Sequence, residues 1–317
     1  MRICLMIEGQ EGVTWDEWLA LALACEEHGL EGLFRSDHYA PIGSPPGTGS
    51  LDAWATLSAL ATRTDRIRLG TLVSPVTFRH PSVLAKMAVT ADHTSGGRIE
   101  LGIGAGWFPN DHFTYGFPFS DTRERMQILA EQLEIVHRSF REEAFSFEGQ
   151  HYRLEDCRAE PKPVQQPHLP VIVGGSGGPK SVALCARWGD EYNTVAAVPE
   201  RCAEVRDALR RAFEAEGRDP SEAHLSLMTT AVIGSDRDEL LERAGALAAK
   251  RGENDAESFL ASMGPERLAG TVDETLDKLR ALSNAGIERV MLQHLVHEDL
   301  EMVALIGRDL VPAAASM

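Results

Sequence analysis

The chain has 317 residues, 43% of them hydrophobic and 25% charged, and its 31 Lys+Arg against 48 Asp+Glu give a formal net charge of −17. That composition supplies a large apolar core and does not indicate disorder, while the charge repels nucleic-acid phosphates and anionic bilayers, so neither is an expected partner. An anionic ligand would need a site built locally from backbone N–H groups and a few arginines.

Residues 2–7 read as a strand rather than a signal segment, because Glu8 and Glu11 follow at once. No apolar stretch approaches the roughly 20 residues of a bilayer span. Thr14 and Glu17 form a capping box, with Trp15, Trp18, Leu19, Ala22 and Leu23 on one helical face and Gly29 as the stop. Seven further strands are expected near 30–36, 67–73, 98–104, 170–174, 191–195, 225–233 and 288–294. Between them, Met126, Leu129, Leu133, Val136 and Phe140 stripe one helix. A second capping box, Thr271 with Glu274, opens another carrying Leu276, Leu279 and Leu282 and ending at Gly286.

Strand and helix alternate from end to end, which predicts an α/β fold, a (β/α)8 TIM barrel; such barrels run to about 250 residues or more as one domain, so a single domain over 1–317 is expected. Three stretches are too long for ordinary connections, 38–50, 105–119 and 142–169, and a fourth segment, 252–267, is polar and lies just before the capped helix at Thr271. The first two follow strands and belong to the catalytic face. The third is expected to hold a hairpin from Ala144 to Tyr152 around Glu148-Gly149 and then a run through Pro161, Pro163, Pro167 and Pro170. The fourth reads as a lid helix or an insertion. Cys4, Cys25, Cys157, Cys185 and Cys202 are scattered without C-x-x-C spacing, which fits small core residues in a reducing cytoplasm.

Asp37 and His38 end the second strand, and an imidazole there can take or give a proton near neutral pH. Consecutive strand residues point to opposite sides, so the two need not face the same space. Arg79 and His80 lead into a helix after the third strand, where Arg79 could hold an anion. Gly102-Ile103-Gly104-Ala105-Gly106-Trp107 lets backbone approach a flat ligand, but a loop through Pro109 follows rather than a dinucleotide-binding helix. Gly174-Gly175-Ser176-Gly177-Gly178 runs from a strand to Pro179 at a helix start and reads as a phosphate site without the ending of a P-loop. The eleven histidines show no H-x-H or H-E-x-x-H spacing, so no metal site is expected.

In this order, Ser36-Asp37-His38, Arg68 to Val73 with Phe78-Arg79-His80-Pro81, Ser95 to Arg98, Gly102 to Trp107, Gly174 to Gly177 and Gly270 to Glu274 resemble the luciferase-like monooxygenase superfamily, and within it the F420-dependent oxidoreductases. The resemblance spans almost the whole chain. It implies a barrel with insertions, usually a homodimer, binding deazaflavin or flavin at the strand C-termini. It further implies a cis peptide at Leu72-Val73 under the ring, cofactor contacts from Leu72, Val73, Ala105, Gly106, Gly174, Gly175, Ser176 and Gly177, and Asp37 with His38 as catalytic pair. Tyr39, Trp107 and Arg79 are expected at the pocket for a small-molecule substrate. Trp107 stands where the sugar-phosphate dehydrogenases of this branch carry a carboxylate, and Ile42 where they carry an aromatic residue, so their substrate is not transferred. The implied activity is F420-dependent hydride transfer. The alternatives are an FMN-dependent monooxygenase, which would use reduced flavin to activate oxygen, and a flavin-binding protein without turnover.

Overall fold

The computed structural model describes all 317 residues. Eight parallel strands close on themselves: β1 (Arg2–Ile7), β2 (Gly32–Arg35), β3 (Arg68–Thr71), β4 (Ile99–Gly104), β5 (Val171–Gly174), β6 (Glu191–Val195), β7 (His224–Gly234) and β8 (Arg289–Gln293). Neighbours pair in chain order, and β8 returns to β1 with Met291 opposite Cys4. This is a TIM barrel, and each expected strand is present with its ends within two residues of the expected ones.

The outer ring holds α1 (Trp15–Glu27), α2 (Ala53–Ala61), α3 (Pro81–Ser95), α4 (Pro109–Tyr115), α5 (Thr122–Arg141), α6 (Pro179–Trp188), α7 (Pro199–Ala215), α8 (Arg237–Lys250), α9 (Ala256–Ser262) and α10 (Val272–Asn284). Both capping boxes form, at Thr14 with Glu17 and at Thr271 with Glu274. On α1 the buried face runs through Trp18, Leu21, Ala22 and Cys25, whereas Leu23 is 46% exposed. The spacing i, i+3, i+4, i+7 centres the stripe one position away from the expected one.

The two-residue period of a strand divides the core into two shells. On β1, Ile3, Leu5 and Ile7 point out to the helices, while Cys4 and Met6 point inward to Phe34, Leu72, Ile172 and Met291. At the strand N-termini a buried ionic cluster fills the barrel: Arg289 donates to Glu100 at 2.6 and 3.0 Å and to Glu191 at 2.7 Å, and Arg68 also donates to Glu100. Apolar and ionic layers together plug the lower barrel, so open space remains at the C-terminal end.

The long connections carry structure of their own. The expected hairpin pairs Phe145–Glu148 with Arg153–Cys157, so its second strand begins beyond Tyr152. The reason is Glu131 of α5, whose carboxylate accepts from the N–H groups of Gln150, His151 and Tyr152 and holds them as the turn. In 252–267 a helix does form: α9 packs Phe259 onto Leu240 and Leu247 of α8, and Leu268–Thr271 then pairs with the extended end of β7. No helix is long and apolar enough to cross a membrane.

Candidate active site

A cavity of about 990 Å3 opens at the C-terminal ends of the strands, the end at which this barrel architecture places its sites. Met6, Gly104, Gly174, Asn193, Met228 and Gln293 line it from the strands, and the loops 38–50 and 105–119 line one side.

Asp37 and His38 part at the end of β2. His38 lines the cavity; Asp37, 1% exposed, turns into the wall behind it. There Asp37 accepts from Arg79 at 2.5 and 3.2 Å and from the Ser74 hydroxyl at 2.7 Å. Arg79 also reaches Asp52 at 2.8 Å and the Tyr39 hydroxyl at 3.1 Å. The expected pocket positions of Tyr39 and Arg79 are therefore corrected: Asp37 and Tyr39 alternate with His38 along the extended segment after β2, Arg79 reaches them from the turn before α3, and none of the three lines the cavity. Burial alone would lower the Arg79 pKa, but the charge and hydrogen bonds of Asp37 outweigh it and raise it.

His38 is held by a residue that sequence reasoning missed. Its Nδ1 lies 2.5 Å from Asp111 Oδ2, while Asp111 Oδ1 accepts from the backbone N–H groups of Tyr39 at 2.9 Å and Ala40 at 2.7 Å. Asp111 is fully buried and sits in the first turn of α4, two positions after Pro109, where an acid is favoured by the helix dipole. Burial depresses the His38 pKa, yet the hydrogen bond and charge of Asp111 outweigh it and raise it above the ordinary imidazole value. The rings of Trp107 and Phe108 stand edge-on to His38, with centroids 6.0 and 5.8 Å away. Trp107 is 62% exposed, so it stands at the mouth rather than in the core.

The adjoining wall is backbone. The Leu72–Val73 peptide is cis, and both residues line the cavity with Ala105 and Gly106. Val73 lies against glycines: a Cβ added to Gly104 would meet Val73 at 2.7 Å, and one added to Gly174 would meet it at 2.9 Å. Beyond β5, Gly174, Gly175, Ser176 and Gly178 border the cavity and lead into α6, whereas Gly177 is not among the lining residues. The Gly175 N–H donates to the Asn193 carbonyl, and the Gly177 N–H to the Tyr192 hydroxyl. The expected N–H contacts from these two glycines are thereby corrected, since both donors are used internally. The N–H groups of Ser176 and Gly178 have no partner, and Lys180 on the first turn of α6 borders the same space.

The sequence profile of the family described as luciferase-like monooxygenase matches residues 2–308. The chain belongs to this family. An F420-dependent glucose-6-phosphate dehydrogenase from Nakamurella multipartita is 28% identical over 312 residues, covering 92% of this chain and 90% of that one. A solved F420-dependent secondary alcohol dehydrogenase, in complex with an F420–acetone adduct, shares the fold with a TM-score of 0.81 at 21% identity, covering 99% of this chain and 98% of that one. A monooxygenase from Streptomyces bottropensis matches equally well in shape, with a TM-score of 0.81 at 25% identity over 98% of this chain and 99% of that one.

In this luciferase-like protein two carboxylates besides Asp111 organise the cavity rim. Glu11 accepts from the N–H groups of Ile42, Gly43 and Ser44 at 2.9, 3.0 and 2.7 Å; burial raises its pKa, and the Ser44 hydroxyl together with these N–H groups more than reverses the effect. Glu8 accepts from Gln10 and Gln293 at 2.8 and 2.5 Å, and Gln293 in turn accepts from Thr230 at 2.6 Å. Asp111 alone had a readable signal, because a proline followed two residues later by an acid is the pattern of a helix start. Glu8 meets Gln293 through barrel closure, Glu11 meets the loop after β2, and none of the three carries a local motif.

Proposed function

We propose that this protein is an oxidoreductase that transfers hydride between F420, a deazaflavin, and a small organic substrate, with His38 moving the accompanying proton. The observation that carries the reading is the arrangement of one cavity: an ionisable imidazole on one side, a backbone wall backed by glycines, and unpaired N–H groups beside a helix start. The family relative that spans nine-tenths of the chain and is named as F420-dependent supports the choice of carrier.

The residues present fit such a group. Glycines 104 and 174 leave room for Val73, so Leu72, Val73, Ala105 and Gly106 offer an even surface to one side of a flat ring. Ser176 and Gly178 N–H, with Lys180, would hold the phosphate, since free donors at a helix start favour an anion even in a chain of net charge −17. When bound, the deazaflavin supplies a carbon that carries hydride and reacts poorly with oxygen. His38, its Nδ1 engaged by Asp111, has Nε2 left to give or take a proton, and Trp107 and Phe108 shield it from bulk water.

A second reading, an FMN-dependent monooxygenase, is supported by the shape match to the Streptomyces bottropensis enzyme. Titrating the purified apoprotein with F420 and with FMN separates the two. Tighter binding of F420 is expected; tighter binding of FMN would move the protein to the second reading, and binding of neither would remove both.

A further inference from the structure

We infer that Asp111 is the positioning residue that sets the tautomer of His38, keeping one proton on Nδ1 so that Nε2 is the atom that exchanges a proton with substrate. The inference rests on the proposed role of His38 as proton carrier.

The argument starts from the three contacts of one carboxylate. Tyr39 N–H and Ala40 N–H both point at Oδ1, and a backbone amide can only donate. Oδ2 is left for His38 Nδ1 at 2.5 Å. An ionised carboxylate only accepts, so the ring must carry its proton on Nδ1 in the neutral as well as the charged form. Asp111 is fully buried, and its competing partners are protein atoms rather than solvent. The same side chain therefore fixes the loop after β2 and the ring three residues beyond that strand. The raised pKa of His38 agrees with a buried carboxylate facing the imidazolium.

Geometry also dictates what an amide would do at this position. In Asp111→Asn the single oxygen must still face the two backbone donors, which turns the NH2 group toward His38 Nδ1. Nδ1 then has to accept, and the neutral ring moves its proton to Nε2. The size of the side chain is unchanged; the direction of the proton is reversed. The same loss of tautomer control underlies the effect of an amide in the serine-protease triad.

The test is a pH titration by nitrogen NMR of protein carrying 15N-labelled histidine, with His38 assigned by the signal lost in His38→Ala. In the parent, Nδ1 is expected to stay protonated throughout while Nε2 titrates. In Asp111→Asn, Nε2 is expected to hold the proton in the neutral ring and the titration midpoint to move to lower pH. With whichever carrier binds, turnover should fall by about 10²-fold or more while carrier affinity stays near the parent value. An unprotonated Nδ1 in the neutral ring of the parent overturns the inference, and that measurement needs no variant to fold. An unchanged tautomer and midpoint in a folded Asp111→Asn overturn it as well. Because the titration is done on apoprotein, a parent that shows the expected tautomer but binds neither F420 nor FMN leaves the pair standing and removes the proposed function instead.

Discussion

The hydroxyl of Tyr192 occupies the place a side chain on Gly175 would take, since a Cβ built there comes within 2.3 Å of it. That phenol donates to or accepts from Ser181 at 2.8 Å and accepts from the Gly177 N–H at 2.9 Å, so it braces the turn between β5 and α6 from inside. Gly175→Val should therefore displace the turn and abolish binding of the cofactor phosphate, with the barrel still folded by circular dichroism. Cofactor affinity equal to the parent's would remove this turn from the phosphate site.

His38→Ala should lower turnover by about 10²-fold or more with little loss of cofactor affinity, as expected for a residue that moves a proton rather than binds. A weaker cofactor with preserved turnover would make it a binding residue. The pH profile gives a sign. With the His38 pKa raised above its ordinary 6.5, the imidazolium persists above that pH, and turnover in the direction that needs an acid falls only as pH rises through the raised value. The His38–Asp111 pair stabilises the fold fully below 6.5 and loses that contribution over the same rise.

Asp37 is expected to behave as a structural residue. Asp37→Asn keeps the shape but leaves Arg79 with Asp52 as its remaining carboxylate, and should cost about 3 kcal/mol or less in chemical denaturation. At temperatures well below melting, cofactor affinity and turnover should match the parent. A large loss of turnover in a fully stable variant would return Asp37 to the chemistry.

At the other end of the barrel, burial raises the Glu100 pKa, but Arg289 and Arg68 more than reverse the effect and hold it at about 2 against an ordinary 4.5. A depressed carboxylate contributes stability that is present above 4.5 and disappears as pH falls through about 2. Acid unfolding followed by tryptophan fluorescence should show that loss, and Glu100→Gln should weaken the protein by about 3 kcal/mol at neutral pH while reducing the acid-dependent part.

The barrel was legible because its signals are local. Capping boxes at Thr14 and Thr271, strand-to-glycine turns at Gly104 and Gly174, and apolar stripes on α5 each need only a few adjacent residues. The site was legible as to place but less so as to role. His38 and the Gly174 to Gly178 turn announce themselves by residue type and strand end, whereas Asp111 acts on a residue 73 positions away. Whether Asp37 or His38 faces inward depends on the phase of β2, which two adjacent polar residues do not reveal. The glycine N–H groups misled for a related reason, as their internal acceptors, Asn193 and Tyr192, belong to the next strand.

The anchoring of loop 38–50 has a consequence for how such a protein can change. Asp111 and Glu11 grip it mainly through the main-chain N–H groups of Tyr39, Ala40, Ile42, Gly43 and Ser44, and of its side chains they engage those of His38 and Ser44 alone. Its shape is inherited largely from two acids elsewhere in the chain, and a side chain such as that of Ile42 is left free to drift. Ile42, which borders the cavity and meets Glu11 through its backbone N–H, can be rewritten for a new substrate without renegotiating the scaffold.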